Sequence, residues 1–186
     1  GKETLDEVEQ SLRDRIGQYV YGINEEKLED KVGQLLTEKS MTVSTAESCT
    51  GGLIGHLLTQ ISGSSNYFKE GFVVYSNDAK VSRLGVEQQV LDDHGAVSES
   101  VARLMAEGVR RVSGTDIGVS VTGISGPTGG SEKKPVGLIF IAVSDSAGTW
   151  CGKYIYTHDR IKNKERAAQT ALNLVRLRLL CLLENA

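Results

Sequence analysis

The sequence predicts a three-layer α/β/α sandwich built around a mixed, mostly parallel β-sheet. Segments with apolar residues three and four positions apart, as in amphipathic helices, alternate along the chain with short β-rich runs. The run 117–122 is dominated by apolar residues, as expected for a strand that helices cover on both faces. Runs 136–144 and 150–157, separated by a turn at 145–148, predict a hairpin that supplies the antiparallel part of the sheet.

Length and composition limit the class of protein and its partners. With 186 residues, 24% of them charged, the chain has the composition of an ordinary globular protein with one main domain. A net charge of -3 predicts no binding to nucleic acid, and no apolar run is long enough to span a membrane. Three cysteines without CxxC spacing indicate neither a disulfide framework nor a zinc site. We therefore expect a cytoplasmic protein that needs no metal or other cofactor.

The first segment predicts an amphipathic helix, because Leu5, Val8, Leu12 and Ile16 recur at helical spacing among charged residues. Residues 1–24 are expected to form an appendage to a main domain at 25–186. The apolar face of the helix predicts a homo-oligomer, although a linker helix from an upstream domain would show the same pattern. The chain starts with Gly rather than Met, which leaves room for such a domain.

After this segment the helical spacing restarts over 28–39 and predicts a second helix. The β-rich run 41–46 then predicts a strand, and Gly51 and Gly52 separate it from the next periodic segment, 53–61. The chain therefore contains a strand–turn–helix unit with a hydroxyl, a thiol and two glycines at its junction.

Another strand is expected at 72–75, followed by a short helix. Asn77 is the predicted N-cap of that helix, because asparagine is favoured at this position. The next helix begins after Ser98, also a favoured cap, and its apolar face is expected to cover the sheet. After the hairpin, small and large apolar residues at helical spacing over 167–183 predict a long helix that lies on the sheet.

Three junctions between strands and helices hold the candidate functional residues. In open α/β sheets, ligands bind where the carboxyl ends of strands lead into helices with free N–H groups. The junctions lie at 48–52, 75–80 and 122–130. Together they supply a hydroxyl, an amine and glycine-rich backbone that a substrate can approach closely.

Ser48 is a candidate nucleophile, because a serine just before a helix can lie beside N–H groups that stabilise an oxyanion. Residue types alone favour plain N-capping over catalysis. Cys49 is the alternative nucleophile, since a thiol at a helix N-terminus has a lowered pKa. The two neighbours are not expected to face one cavity, and no histidine has a context that marks it as a base for the thiol.

Lys80 is the candidate base for Ser48. A free lysine with a pKa of about 10.4 is almost wholly protonated at neutral pH, so burial or a helix dipole must lower that pKa. Spacing alone favours a solvated lysine. The glycine loop 123–130 lacks the usual nucleotide-binding spacings, and Arg160 is a candidate clamp for a phosphate or carboxylate.

Five motifs together resemble the CinA C-terminal domain family of nicotinamide-nucleotide amidohydrolases. They are TAESCTGG at 45–52, YSNDAK at 75–80, HGAVS at 94–98, TGISGP at 122–127 and KPVG at 134–137. The resemblance covers about residues 25–183. The segment 18–22 resembles the linker before this domain in longer members, which carry an upstream molybdopterin-binding-like domain.

The resemblance implies hydrolysis of the carboxamide of nicotinamide mononucleotide to nicotinate mononucleotide and ammonia, without a metal. It implies that Ser48 is the nucleophile, that Lys80 is the base that later protonates ammonia, and that Tyr75 orients them. The backbone around Thr50, Gly51 and Gly52 would stabilise the oxyanion. The ribose phosphate would be held by Thr122, Gly123, Gly126 and Arg160.

Two alternatives stay open within the resemblance. Arg166 could exchange roles with Arg160, because His158 stands where relatives often have the glycine of a Gly-Asp-Arg pattern. The domain could also be a non-catalytic nucleotide-sensing or interaction module of a longer chain. Ammonia release would distinguish such a module from an amidohydrolase.

Overall fold

The computed structural model describes residues 2–183, so Gly1 and the last three residues of the predicted domain lie outside it. Its helices are α1 (Lys2–Ile16), α2 (Leu28–Glu38), α3 (Leu53–Thr59), α4 (Asn77–Leu84), α5 (Gln88–His94), α6 (Glu99–Ser113) and α7 (Arg160–Leu179). Its strands are β1 (Val43–Glu47), β2 (Phe68–Val73), β3 (Ile117–Gly123), β4 (Leu138–Asp145) and β5 (Gly148–Ile155). Short 3₁₀ turns lie at Gly17–Tyr19 and Ser64–Asn66.

The five strands form one mixed sheet in the order β2-β1-β3-β4-β5. Strand β1 pairs in parallel with β2 and with β3, whereas β4 pairs antiparallel with β3 and β5. Only β4 therefore runs against the common direction, which confirms the predicted mixed, mostly parallel sheet. The hairpin turn is tighter than expected, because Asp145 already pairs with Gly148.

Helices cover both faces of the sheet, which confirms the three-layer architecture. On one face, α2, α3 and α7 pack against apolar side chains of β1, β3 and β4. On the other face, α6 lies across the sheet with α4 and α5 beside it. Strands β1 and β3 are buried along almost their whole length, as the apolar run 117–122 predicted.

The second strand differs from its prediction. It spans Phe68–Val73 rather than 72–75, and it lies at the edge of the sheet with most of its residues exposed or half-exposed. An edge strand need not be apolar, so its first residues lacked the pattern that marks a buried strand. Residues 74–76 have left the strand, and their carbonyl groups bind Lys80 instead.

The N-cap of α4 is Ser76 rather than the predicted Asn77. Ser76 has extended backbone angles, and its Oγ accepts a hydrogen bond of 3.1 Å from the N–H of Ala79. The prediction placed the start of the helix one residue too late. The cap at Ser98 is confirmed, since its Oγ accepts from the N–H of Val101.

Helix α1 is confirmed as an amphipathic helix at the N-terminus. Its apolar side chains, from Leu5 at 70% to Ile16 at 44% exposed, do not join the core clusters of the sheet. The boundary at residue 24 and the homo-oligomer stay predictions.

Candidate active site

The three predicted junctions meet at the carboxyl ends of the parallel strands β1, β2 and β3 and surround a cavity of about 360 Å³. Volumes of this order suit a small-molecule ligand. Seven of the ten predicted site residues line it: Ser48, Tyr75, Lys80, Thr122, Gly123, Gly126 and Arg160. We refer to it as the Ser48 cavity. Thr50, Gly51 and Gly52 do not line it.

Ser48 and Lys80 lie in contact in this cavity. The Lys80 amine, on a residue that is only 1% exposed, lies 3.3 Å from Ser48 Oγ. Burial lowers the pKa of Lys80, because the charged ammonium loses its hydration. Lys80 is thus not the solvated lysine that spacing alone favoured. Of the two effects expected to lower its pKa, burial and the helix dipole, burial is the one that does so.

Three backbone carbonyl groups hold the amine of Lys80 in place. Its Nζ donates to the carbonyl oxygens of Val74 at 2.9 Å, Tyr75 at 3.3 Å and Ser76 at 3.4 Å. A neutral amine keeps two N–H donors for these carbonyls and one lone pair, which can accept the proton of the Ser48 hydroxyl. The arrangement therefore allows Lys80 to act as a base without leaving its position.

The start of helix α3 is occupied by a side chain of the protein itself. The buried carboxylate of Glu47 accepts from the N–H groups of Gly52 at 3.0 Å, Ile54 at 3.1 Å and Gly55 at 2.9 Å. The N–H of Gly51 donates to the carbonyl of Ser48. The predicted role of Gly51 and Gly52 as oxyanion donors is therefore not supported by this geometry. Both glycines have positive φ, so the turn itself requires them.

Two backbone N–H groups directly after Ser48 lack a backbone acceptor among the described residues. Within residues 2–183, the N–H groups of Cys49 and Thr50 donate to no backbone carbonyl, whereas the N–H of Ser48 donates to Val121. Thr50 thus keeps a free backbone donor beside Ser48, although it does not line the cavity.

Cys49 lines the Ser48 cavity together with Ser48, contrary to the expectation that neighbours would face different ways. Burial raises the pKa of its thiol to about 11. The expected lowering does not occur, because α3 begins four residues later and Glu47 already neutralises its positive end. Since the thiolate is the reactive form, this cysteine is a poor nucleophile.

Tyr75 and Arg160 meet at the rim of the cavity. The phenol oxygen of Tyr75, an exposed side chain, accepts from Nη2 of Arg160 at 3.2 Å. Nη1 of Arg160 donates to the carbonyl of Gly126 at 2.7 Å. The Tyr75 ring therefore contacts the arginine, and only its backbone carbonyl contacts Lys80. Arg166 lines a separate cavity, so Arg160 is the arginine of the Ser48 cavity.

The glycine loop after β3 forms the opposite wall. The hydroxyl of Thr122 donates to the carbonyl of Ala96 at 2.8 Å, which ties the loop to the HGAVS motif. Gly126 has a φ of +85°, and a Cβ there would lie 2.5 Å from Cγ1 of Val136. Only glycine fits this position.

Asn163 supports the site from behind the cavity wall and was not among the predicted residues. Its fully buried amide donates to the carbonyls of Ser125 at 3.1 Å and His158 at 2.9 Å. It thereby fastens the glycine loop to the first turn of α7. The available signal was its spacing of four residues before Ala167, which places a polar residue on the buried face of that helix.

Neither a metal centre nor a membrane-spanning helix is found in the described part of the chain. Residues 2–183 contain no group of three His, Cys, Asp or Glu side chains close enough to hold a metal ion. None of the helices in that range is both long and apolar enough to cross a membrane.

Comparison with known proteins gives a consistent family assignment. A family model described as the CinA C-terminal domain matches residues 25–179. A CinA-like protein of Kosmotoga olearia is 47% identical over 173 residues, which are 93% of this chain and 42% of that protein. A CinA-like protein of Chloroherpeton thalassium is 49% identical over 174 residues, 91% of this chain and 41% of that protein. The chain thus spans less than half the length of these relatives.

Solved structures share the fold. The competence/damage inducible protein CihA from Agrobacterium tumefaciens is 41% identical, with a TM-score of 0.78 over 83% of this chain and 93% of that chain. A CinA superfamily protein from Escherichia coli is 29% identical, with a TM-score of 0.78 over 89% of this chain and 98% of that chain. Both cover most of the described sheet and helices.

Proposed function

The chain belongs to the CinA C-terminal domain family, and from this membership we propose that it is a nicotinamide-nucleotide amidohydrolase. The substrate would be nicotinamide mononucleotide, and the products nicotinate mononucleotide and ammonia. The observation that carries the proposal is the contact of 3.3 Å between Ser48 Oγ and the buried amine of Lys80. A hydroxyl beside an amine of lowered pKa is an arrangement for nucleophilic attack on an amide.

In the first half of the reaction, neutral Lys80 removes the proton from Ser48 as Oγ attacks the carboxamide carbon. The tetrahedral intermediate carries a negative oxygen, which the N–H groups near Ser48 would stabilise. The C–N bond then breaks, and the ammonium of Lys80 gives its proton to the departing nitrogen, which leaves as ammonia. Ser48 is left as an ester of the nicotinoyl group.

In the second half, water replaces ammonia. Lys80, neutral again, removes a proton from the water as it attacks the ester carbonyl. The C–O bond to Ser48 breaks, the serine regains a proton from Lys80, and the nicotinate product is released. One base thus serves both halves, and no proton donor other than the lysine and water is required.

The rest of the nucleotide would lie against the glycine loop and against Tyr75 and Arg160 at the rim of the cavity. Backbone groups from Gly123 to Gly126, together with Thr122, would surround the ribose phosphate. The guanidinium of Arg160 would supply the charge for the phosphate while Tyr75 keeps it oriented. We further propose a homo-oligomeric, cytoplasmic protein whose active domain is 25–186.

The test is release of ammonia from nicotinamide mononucleotide by the purified protein and its variants. Replacement of Ser48 or Lys80 by alanine should each lower the rate by at least about a thousandfold, because these residues act as one unit. Cys49→Ala should keep most of the activity, since its thiol is protonated. Unchanged rates in both the serine and lysine variants would refute the mechanism. Tight nucleotide binding without any ammonia release would instead identify a non-catalytic module.

A further inference from the structure

One hydroxyl group of the Ser48 cavity has no assigned task. Ser125 is 3% exposed and lines the cavity, yet its Oγ has no hydrogen-bond partner among the described residues. A buried hydroxyl without a partner is unusual, because it loses its hydration without compensation. Such a group at the wall of a ligand cavity points to a partner on the ligand.

The position of Ser125 is fixed by its surroundings. Its backbone carbonyl accepts from the buried amide of Asn163, and the next residue, Gly126, accepts from Arg160. The loop therefore presents the Ser125 hydroxyl from a backbone that is held on both sides. Cys49 is close enough to feel this hydroxyl: Ser125 opposes part of the rise in the thiol pKa, although it makes no hydrogen bond of regular geometry to the sulfur.

The proposed reaction requires hydrogen-bond donors of this kind. The negative oxygen of the tetrahedral intermediate needs hydrogen-bond donors, usually two. The N–H groups of Ser48, Gly51 and Gly52 are already used by Val121, Ser48 and Glu47. The backbone beside the nucleophile therefore offers only the N–H groups of Cys49 and Thr50.

The proposed reaction separates the two substituents of the reacting carbon. The departing nitrogen must lie toward Lys80, which protonates it, so the oxygen points away from that amine. Cys49 and Ser125 also line the cavity and are the remaining side chains considered as donors to this oxygen. The thiol of Cys49 is protonated and weakly polar, so it is a poor donor for an anionic oxygen. Ser125 is the stronger donor of the two.

We propose that the Ser125 hydroxyl donates a hydrogen bond to the carboxamide oxygen of the substrate, and that this bond strengthens as the oxygen becomes negative. This inference rests on the proposed amidohydrolase function. It assigns to the glycine loop a direct part in catalysis, beyond binding the phosphate.

The test compares Ser125→Ala with Ser131→Ala, a control serine directly after the glycine loop that is exposed and outside the Ser48 cavity. Ammonia release is measured with nicotinamide mononucleotide and with its thioamide analogue, whose sulfur accepts hydrogen bonds weakly. For Ser125→Ala we expect kcat with the amide to fall by about ten- to a hundredfold, with little change in KM. The preference for amide over thioamide should shrink by about the same factor. Ser131→Ala should match the wild type.

Several results would contradict the proposed role of the Ser125 hydroxyl. Wild-type kinetics in Ser125→Ala would overturn the proposal. A lower kcat with an unchanged preference for amide over thioamide would also overturn it, because the serine would then only support the structure of the site. A thermal melt shows whether the variant is folded, and removal of an unpartnered hydroxyl should leave the melting temperature unchanged or raise it. If the variant is unfolded, Ser125→Cys, with a weaker donor, is measured in the same way. Absence of ammonia release by the wild type would refute both proposals together.

Discussion

Among single residues, Lys80 would set the protonation chemistry of the proposed reaction. Burial lowers its pKa, because the charged ammonium loses its hydration. The neutral base is therefore more available than in free lysine. The carbonyl oxygens of Val74, Tyr75 and Ser76 hold the amine beside Ser48, where it could take up a proton and later pass it to the leaving nitrogen.

The dependence of kcat/KM on pH follows from the lowered pKa of Lys80. The base must be neutral, so kcat/KM for ammonia release should rise with pH and level off above the pKa of the lysine. Its inflection should lie below the ordinary value of 10.5. Lys69→Ala, which removes an exposed lysine, should leave the inflection unchanged. A rate that is independent of pH, or an inflection at 10.5 or above, would argue against Lys80 as the base.

Glu47 supports the turn that carries Ser48. Glu47→Gln should lower the free energy of unfolding by about 2 kcal/mol, because an amide offers one acceptor oxygen where the carboxylate serves three N–H groups. Urea denaturation measures the loss. Glu87→Gln is the matched control, since Glu87 precedes α5 without a side-chain cap, and it should change stability by less than about 0.5 kcal/mol. Equal stabilities of the two variants would contradict the role given to Glu47.

Among the secondary-structure elements, helix α4 carries Lys80, the proposed base, and its first turn sets the position of this residue. The carbonyl of Ser76 accepts both from the backbone N–H of Lys80 and from its side-chain amine. The cap and the catalytic candidate are therefore joined through a single residue. A disturbance of the start of this helix should reach the active site directly.

The two neighbouring candidates for the cap of α4 offer a direct comparison. Ser76→Ala removes the bond from Oγ to the N–H of Ala79 and should cost about 1 kcal/mol of stability. Asn77→Ala, at the position that the sequence pattern selected, should change stability by only a few tenths of a kcal/mol. Thermal or urea unfolding of both variants measures the difference. A larger loss of stability in Asn77→Ala than in Ser76→Ala would show that Asn77, as the sequence predicted, is the cap.

At the scale of the whole molecule, α7 connects the active site to the opposite end of the sheet. Its first turn supplies Arg160 to the cavity, and Asn163 in the same turn holds the glycine loop that lines it. Near its other end, Arg178 forms a largely buried, bidentate ion pair with Asp145 at the turn of the hairpin. Its Nε and Nη2 each lie 2.6 Å from one carboxylate oxygen. The helix is thus fixed to the sheet at both ends by polar contacts.

Asp145→Asn should lower the free energy of unfolding by about 3 kcal/mol at pH 7, because it leaves the arginine charge buried without its partner. The pair holds the pKa of Asp145 below its ordinary value of 3.8. Its contribution is therefore complete above that pH and is lost as the pH falls through the lower, folded-state value. Urea unfolding at pH 7 and near pH 3 should show the difference between variant and wild type shrinking in acid. Asp78→Asn, an exposed control, should show no such trend.

Sequence periodicity predicted the architecture, because buried faces impose a pattern on the residues that form them. Helices α2, α6 and α7 and the antiparallel hairpin follow from apolar spacing and turn signals. Strand β2 was misplaced since an edge strand carries little of that pattern. Spacing alone did not favour Ser48 or Lys80 as catalytic residues; their pairing came from the family resemblance.

The supporting residues of the site could not be predicted in the same way. Glu47 and Asn163 bind backbone groups that come within reach only in the folded chain, and Ser125 is marked only by a hydroxyl that folding leaves without a partner. Which N–H groups a turn leaves free depends on its φ and ψ angles and on distant side chains. That information is not carried by local residue type, so only the structure separates Gly52, whose N–H is used, from Thr50, whose N–H is available.

In the proposed reaction, the carbonyl groups that hold Lys80 would also restrict the substrate. Because these groups hold the amine in place, the leaving nitrogen would have to be delivered to it, which would fix the rotation of the carboxamide about its bond to the pyridine ring. Only one of the two planar conformers of the amide places its nitrogen near the lysine. The site would therefore select a conformer of the substrate, and ring substituents that force the amide to the other side should behave as inhibitors.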